Sequence, residues 1–281
     1  MSVSARAIGA ELTNIKSSDG REYLWQGDPA FWAKQAPLLF PIVGNFPDKE
    51  YTHLGKTYAM GNHGFISTRE FTCVHSTATE MSFEFSSDET SRAIYPFDFK
   101  VGLHYALVGK SLKVGYNVVN TGSEILPFSI GAHPAFRTPL DAGETRSDFD
   151  LIFEKSERIN RHLVKANNTA SGETEPFLKD QKQLPLTAEL FEKGAIVLKD
   201  HLSRKVMLKS RKTGHFVELS FSGFPYLGIW SPKGETPFVC LEPWYGVIGA
   251  DASDKNILNK EGIQKLAIGK TFLAEYQVNV G

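Results

Sequence analysis

Apolar and polar residues alternate along most of the 281-residue chain, and no stretch longer than about two turns shows convincing helical spacing. The pattern predicts strands around Ala7–Ile15 and Arg21–Trp25, with Ser17-Ser-Asp-Gly20 as the hairpin turn between them. Residues 29–36 read as one short helical turn. The segment Pro37-Leu-Leu-Phe-Pro-Ile-Val-Gly-Asn-Phe-Pro47 is apolar but broken by prolines and a glycine, which predicts a loop packed on an apolar surface. A short hairpin follows across Gly55, then strands at Phe71–His75 and Met81–Phe85. The clearest pair is Phe97–Val108 with Leu112–Asn120, where Leu112, Val114, Tyr116 and Val118 share one face. Phe128–Ala132 is a further strand leading into His133.

Residues 140–185 are richer in charge and turn formers, with Asn167–Gly172 expected as a flexible tip. Thr187–Glu192 reads as a short helix. Strands resume at Ala195–Leu198, Lys205–Lys209, Phe216–Phe221, Leu227–Trp230 and Phe238–Leu241. Residues 252–266 have a weak helical look, and Thr271–Val280 closes the chain. With no linker, repeat or low-complexity tract, the expectation is one all-β domain over residues 1–281, built as a large sandwich.

Composition narrows the function classes. A net charge of −1, with 41% hydrophobic and 22% charged residues, gives no electrostatic footprint for nucleic acid or anionic lipid. The two cysteines, Cys73 and Cys240, lie in strand-like runs and read as reduced core thiols. No run approaches membrane-spanning length and no signal-peptide core is present, so a soluble cytoplasmic protein is expected.

Three titratable residues sit beside glycine or proline at strand ends: His63 in GNHGF, His133 in GAHPAF and Glu242 in LEPWYG. Alternation places Phe238, Cys240 and Glu242 on one face, so a carboxylate stands where a core side chain is usual. Pro243 has no N–H for a ladder and is expected to end the strand. An apolar surround of Trp244 and Tyr245 would raise the Glu242 pKa towards that of a useful base. Ahead of His133, Ser129 and Gly131 are small and leave room for a ligand. Any one of these histidines could be a hydrogen-bonded structural residue; together with Glu242 they suffice to shuttle protons between two oxygens. The same trio could ligate zinc, although no HExxH is present and no two of the residues share a local element. No GxSxG, GxGxxG or GxxxxGKS occurs, which leaves serine hydrolase, dinucleotide and P-loop sites without support.

These segments, in this order, resemble the aldose 1-epimerase (galactose mutarotase-like) family, in particular its LacX-like branch. The resemblance runs from GAELTNIKSSDGREYLWQGD through PLLFPIVGN, GNHGF, YPFDFKVGLHYAL, GAHPAF and YLGIWSP to FVCLEPWYG, nearly the whole chain. It implies a large twisted β-sandwich and a cofactor-independent reaction on a small carbohydrate. It implies that Glu242 is the base for the anomeric hydroxyl, that His133 is the acid for the ring oxygen, and that His63 hydrogen-bonds the sugar. It further implies that Asn45, Asn62, Trp230 and Trp244 contact the substrate. The family pattern has arginines where this chain has Asn45 and Ser67, and an aspartate near Gly194. Loss of the arginines argues against a hexose 6-phosphate. The alternatives are a non-catalytic carbohydrate-binding protein and a hexose-phosphate 1-epimerase gripping phosphate through other basic residues, such as Arg69 or Lys100. Oligomeric state is not legible in the sequence.

Overall fold

A computed structural model describes residues 1–250 and 254–281 of the chain. Its architecture is the expected twisted all-β one. Fifteen strands join one antiparallel sheet that runs from Leu38–Leu39 through the Phe238–Tyr245 strand to Thr72–Ser76, with three separate two-stranded pairs beside it. The long pair Phe99–Val108 and Ser111–Asn120 is in the register the alternation predicts, joined across Gly109-Lys110. Phe99, Val101, Leu103 and Tyr105 face the same core as Leu112, Val114, Tyr116 and Val118. Among the described residues no helix is long and apolar enough to cross a membrane.

Several expectations change, among them Cys73, which is exposed rather than in the core. The first predicted strand splits into Ser2–Ala5 and Leu12–Lys16, which pair with each other, because Gly9 and Ala10 turn the chain with positive φ. The 29–36 segment is a run of turns rather than a helical one. Residues 252–266 hold a single 3₁₀ turn at Ile257–Asn259 and a short strand at Gln264–Leu266, with residues 252 and 253 outside the described set. The largest change concerns residues 140–185. They form two 16-residue strands, Phe149–Val164 and Ala170–Pro185, paired with several register shifts. The second of these strands is polar on most positions because only Leu178 and Leu184 are buried in it. That composition hid it from a reading based on hydrophobic alternation.

The same hairpin carries the expected flexible tip, and the fold anchors it. The Ala170 amide donates to the Gly249 carbonyl at 2.8 Å, and the Asn45 side-chain amide donates to the Asn167 carbonyl at 2.9 Å. The tip is therefore held against the Gly44–Asn45 and Val247–Gly249 segments.

The strand expected to end at Pro243 continues to Tyr245. On one side its residues Cys240–Trp244 pair without interruption with Tyr226–Trp230. On the other it meets two short strands, Ala135–Arg137 and Ile130–Ala132, which leave a break at His133-Pro134. Leu241 turns its N–H to the Pro134 carbonyl at 3.3 Å. Two residues on, Pro243 would aim an N–H the same way, into the break, where no ladder partner is required. A proline is thus tolerated inside a central strand at the place where the neighbouring strand is interrupted.

Candidate active site

That interruption is what brings the chemistry together. The break frees His133 from the ladder and turns it towards Glu242, and the two side chains meet with His133 Nε2 3.3 Å from Glu242 Oε2. Both are buried, Glu242 to 1% exposure and His133 to 8%. They sit at the floor of a cavity of about 670 Å³ that also receives His63, Asn62, Trp230 and Trp244.

Backbone geometry fixes His63. Its own φ is +62°, and Gly64 beside it has φ +78°. A Cβ at Gly64 would lie 2.1 Å from the Phe40 carbonyl oxygen, so only glycine lets the chain pass this close. His63 and Gly44 then bond reciprocally: the His63 amide donates to the Gly44 carbonyl at 2.9 Å, and the Gly44 amide donates to Nδ1 of His63 at 3.1 Å. Because Nδ1 accepts, the proton of the neutral ring is on Nε2. The ring stands edge-on to His133, with centroids 5.6 Å apart.

Burial sets the electrostatics. It pushes the Glu242 carboxyl well above the usual carboxylate range, with the Trp244 indole opposing the shift. Burial, then the neighbouring His63 and Lys34, hold His133 well below its ordinary 6.5. His63 falls to about 3, from burial and then from the positive charges of Lys34 and Lys260. A water-poor site disfavours both ionised forms of the Glu242–His133 pair, so the pair keeps one proton between its members over a wide pH range.

The walls are aromatic, and their packing corrects one expectation. The space above Gly131 is filled: Trp244 lies over Gly131 and Gly228, and a Cβ at either would come within 2.5 Å of the indole. Two glycines on flanking strands thus accommodate the ring that walls Glu242. The opposite wall was not legible in the sequence. Trp32, in the turn-rich 29–36 segment, stacks on the His133 imidazole at 4.9 Å and meets Trp230 edge-on at 5.6 Å. This segment is pinned by Glu11, whose buried carboxylate accepts the Gln35 and Ala36 amides at 2.8 and 2.9 Å. The Gln35 side chain in turn donates to the Thr13 and Trp25 carbonyls. Local pattern carries no sign of this arrangement, since Glu11 and Gln35 are 24 residues apart.

Asn45 is the one expected contact residue that does not line the cavity; its amide serves the hairpin tip instead. Ser67 and Gly194 do line it, as do Val164, Lys165, Ala166 and Asn168 of that tip. Lys34, Lys193 and Lys233 complete the mouth with Glu192.

For a metal, the donors that converge are His133, Cys240 and Glu242, within 4.8 Å of one another, rather than the two histidines with Glu242. A metal needs the thiolate and the carboxylate. Burial raises both groups, and the Glu242 charge raises Cys240 further. Their protonated forms are favoured, which suits proton transfer rather than ligation.

The chain is similar to known proteins along its length. Residues 1–256 match the family model for aldose 1-epimerase. The chain is 35% identical to the chromosomal LacX protein of Lactococcus lactis subsp. lactis, over all of this chain and 96% of that one. Among solved structures, a galactose mutarotase related enzyme from Lactobacillus acidophilus superposes with a TM-score of 0.95 at 31% identity, covering 99% of this chain and 94% of that one. A galactose mutarotase-like protein from Lactobacillus casei gives 0.93 at 30%, with coverage of 99% and 96%. The match spans the strands that bring His63, His133 and Glu242 together, and the chain belongs to the aldose 1-epimerase family.

Proposed function

We propose that the chain interconverts the α and β anomers of an aldose by acid–base ring opening. One observation carries this reading: a carboxyl and an imidazole, 3.3 Å apart and both buried, share the floor of a cavity of small-molecule size. Anomer exchange needs one group to take the proton of the C1 hydroxyl and another to give one to the ring oxygen, two atoms bonded to the same carbon.

In the working direction, Glu242 as carboxylate removes the O1 proton and the C1–O1 bond becomes a carbonyl. The C1–O5 bond breaks, and O5 takes the proton that His133 holds as imidazolium. Rotation about C1–C2 presents the other aldehyde face, and closure returns both protons. Opening converts carboxylate and imidazolium into carboxylic acid and imidazole. Burial that disfavours both ions therefore favours this step. Closure by these reverse transfers restores the charged pair, and proton exchange across the 3.3 Å contact links it to the neutral pair that burial favours at rest. His63, fixed as the Nε2–H tautomer, is a neutral donor for a sugar oxygen. Trp230 and Trp244 offer apolar faces to the ring, and Asn62 an amide to its hydroxyls.

The test is NMR exchange or polarimetry on freshly dissolved α-anomers, with wild type and Glu242→Gln. Exchange faster than the spontaneous reaction, lost by about 100-fold or more in the variant, is the expected result for an acid–base residue. Equal rates in the two proteins would remove Glu242 from the mechanism.

A further inference from the structure

The ammonium group of Lys260 lies inside the protein. The residue is 4% exposed and follows the 3₁₀ turn Ile257–Asn259. Its Nζ donates to the Val247 carbonyl and stands 5.9 Å from the centre of the Phe46 ring. Among the described residues no carboxylate pairs with it; Glu261, next in the chain, pairs with Lys199 instead. Burial pushes the Lys260 pKa down to about 7, with Glu261 opposing the shift and Lys199 adding to it. A cation buried on one backbone acceptor is unfavourable for folding, and methionine would fill similar space without that penalty.

The acceptor belongs to the segment Val247–Gly249, whose contacts lead to the cavity. Ile248 is part of the cavity lining. Gly44 packs on it so closely that a Cβ there would lie 2.8 Å from the Ile248 Cα, and Gly44 exchanges two hydrogen bonds with His63. The Gly249 carbonyl accepts the Ala170 amide of the hairpin tip at 2.8 Å. A Cβ at Gly249 would meet the Asn45 carbonyl oxygen at 3.0 Å and Lys260 Nζ at 4.0 Å. Phe46, whose ring faces the ammonium, follows Asn45, and the Asn45 side chain donates to Asn167 in the same tip. Lys260 thus touches both segments that anchor the tip, while standing outside the cavity lining itself.

We propose that Lys260 is a positioning residue for the substrate cavity: its ammonium group holds the Val247–Gly249 and Asn45–Phe46 segments together and through them fixes the hairpin tip over the bound sugar. This rests on the epimerase reading above for the identity of the substrate. A charged donor holds a carbonyl more strongly than a neutral one, so loss of the Lys260 proton loosens the tip. The charged and titratable groups around it are Glu261 and Lys199, which pair with each other, and His63, whose pKa its charge helps to lower. His63, at about 3, does not change charge near neutrality.

The experiment follows the tip and the sugar separately, in wild type and Lys260→Met. Hydrogen exchange at the Ala170 amide, compared below pH 7, should be about tenfold faster in the variant, the factor for one charge-assisted hydrogen bond. The melting temperature should be kept, because methionine removes a buried charge. In anomer exchange KM should rise by about tenfold with kcat within about twofold. The KM of wild type should climb towards that of the variant as pH passes 7. Unchanged exchange at Ala170 overturns the proposal, whatever the activity. A melting temperature that falls in step with the rise in KM shows a purely structural lysine and also overturns it. If Lys260→Met fails to fold, wild type decides: exchange at Ala170, corrected for its intrinsic pH dependence, must quicken as pH passes 7, and a flat profile overturns the proposal. If no sugar is turned over, the epimerase reading fails, and the exchange measurements still decide whether Lys260 holds the tip.

Discussion

Trp32 lies almost flat against the His133 imidazole, ring centres 4.9 Å apart and planes 26° from parallel. The contact covers one face of the imidazole while Glu242 approaches its Nε2. The protonation behaviour of the site therefore depends on a residue in an irregular segment, 101 positions away in the chain.

Replacing Trp32 by alanine admits water beside His133. Burial is the main cause of that group's depressed pKa, so the value should rise towards 6.5. The acid limb of the kcat/KM profile marks the entry of a second proton into the Glu242–His133 pair, and it should shift to higher pH. A profile whose acid limb stays in place would mean that the indole does not shield the imidazole.

Glu242→Gln should abolish exchange while preserving or raising stability, because the amide replaces an ionisable group whose burial disfavours its charge. The gain depends on pH. With its folded pKa raised above 4.5, the native carboxyl holds a proton that the unfolded chain releases. Its contribution is greatest below 4.5 and is lost as pH rises through the folded value. The melting temperature of the variant should thus gain on wild type as pH rises from 4.5. A difference independent of pH would contradict a raised Glu242.

His63 has the opposite sign. Between its folded value of about 3 and the ordinary 6.5, the unfolded chain binds the extra proton, so stability falls as pH drops through that window. His63→Gln should flatten the decline; urea midpoints from pH 7 to 4 would measure it. An identical decline in the variant would place the sensitivity elsewhere.

Gly228→Ala should be destabilising by about 1–3 kcal/mol, because the new Cβ would fall 2.3 Å from Trp244 Cζ2. Trp244→Phe removes the six-membered part of the indole that collides. The double variant should therefore cost less than the sum of the single ones, a coupling readable from denaturation midpoints. Additive costs would show that the strand, and not the indole, resists the alanine.

Glu11→Ala would leave the Gln35 and Ala36 amides without their acceptor, at a cost of about 1–3 kcal/mol. It should also loosen the Trp32 segment, so KM should rise together with the loss of stability. Unchanged KM would separate the anchor from the site.

The sequence by itself determined the strands with strong alternation, the shared face of Cys240 and Glu242, and the three titratable residues of the floor. Those features are local: a two-residue period, a glycine needed at positive φ beside His63, and a carboxylate in an apolar run are visible wherever they occur. Only the tertiary structure decided that the Phe238–Tyr245 strand passes through Pro243, since the proline is tolerated because a distant strand breaks opposite it. It also decided that the polar 140–185 stretch is a long hairpin whose tip forms the cavity mouth, and that Asn45 bonds the tip and lies outside the cavity lining. Trp32, Lys34 and Lys233 entered the site in the same way. Each lies in a turn with no periodicity to read, and it is placed by contacts between segments far apart in the chain: Glu11 with Gln35, Trp32 with Trp230, Trp32 with His133.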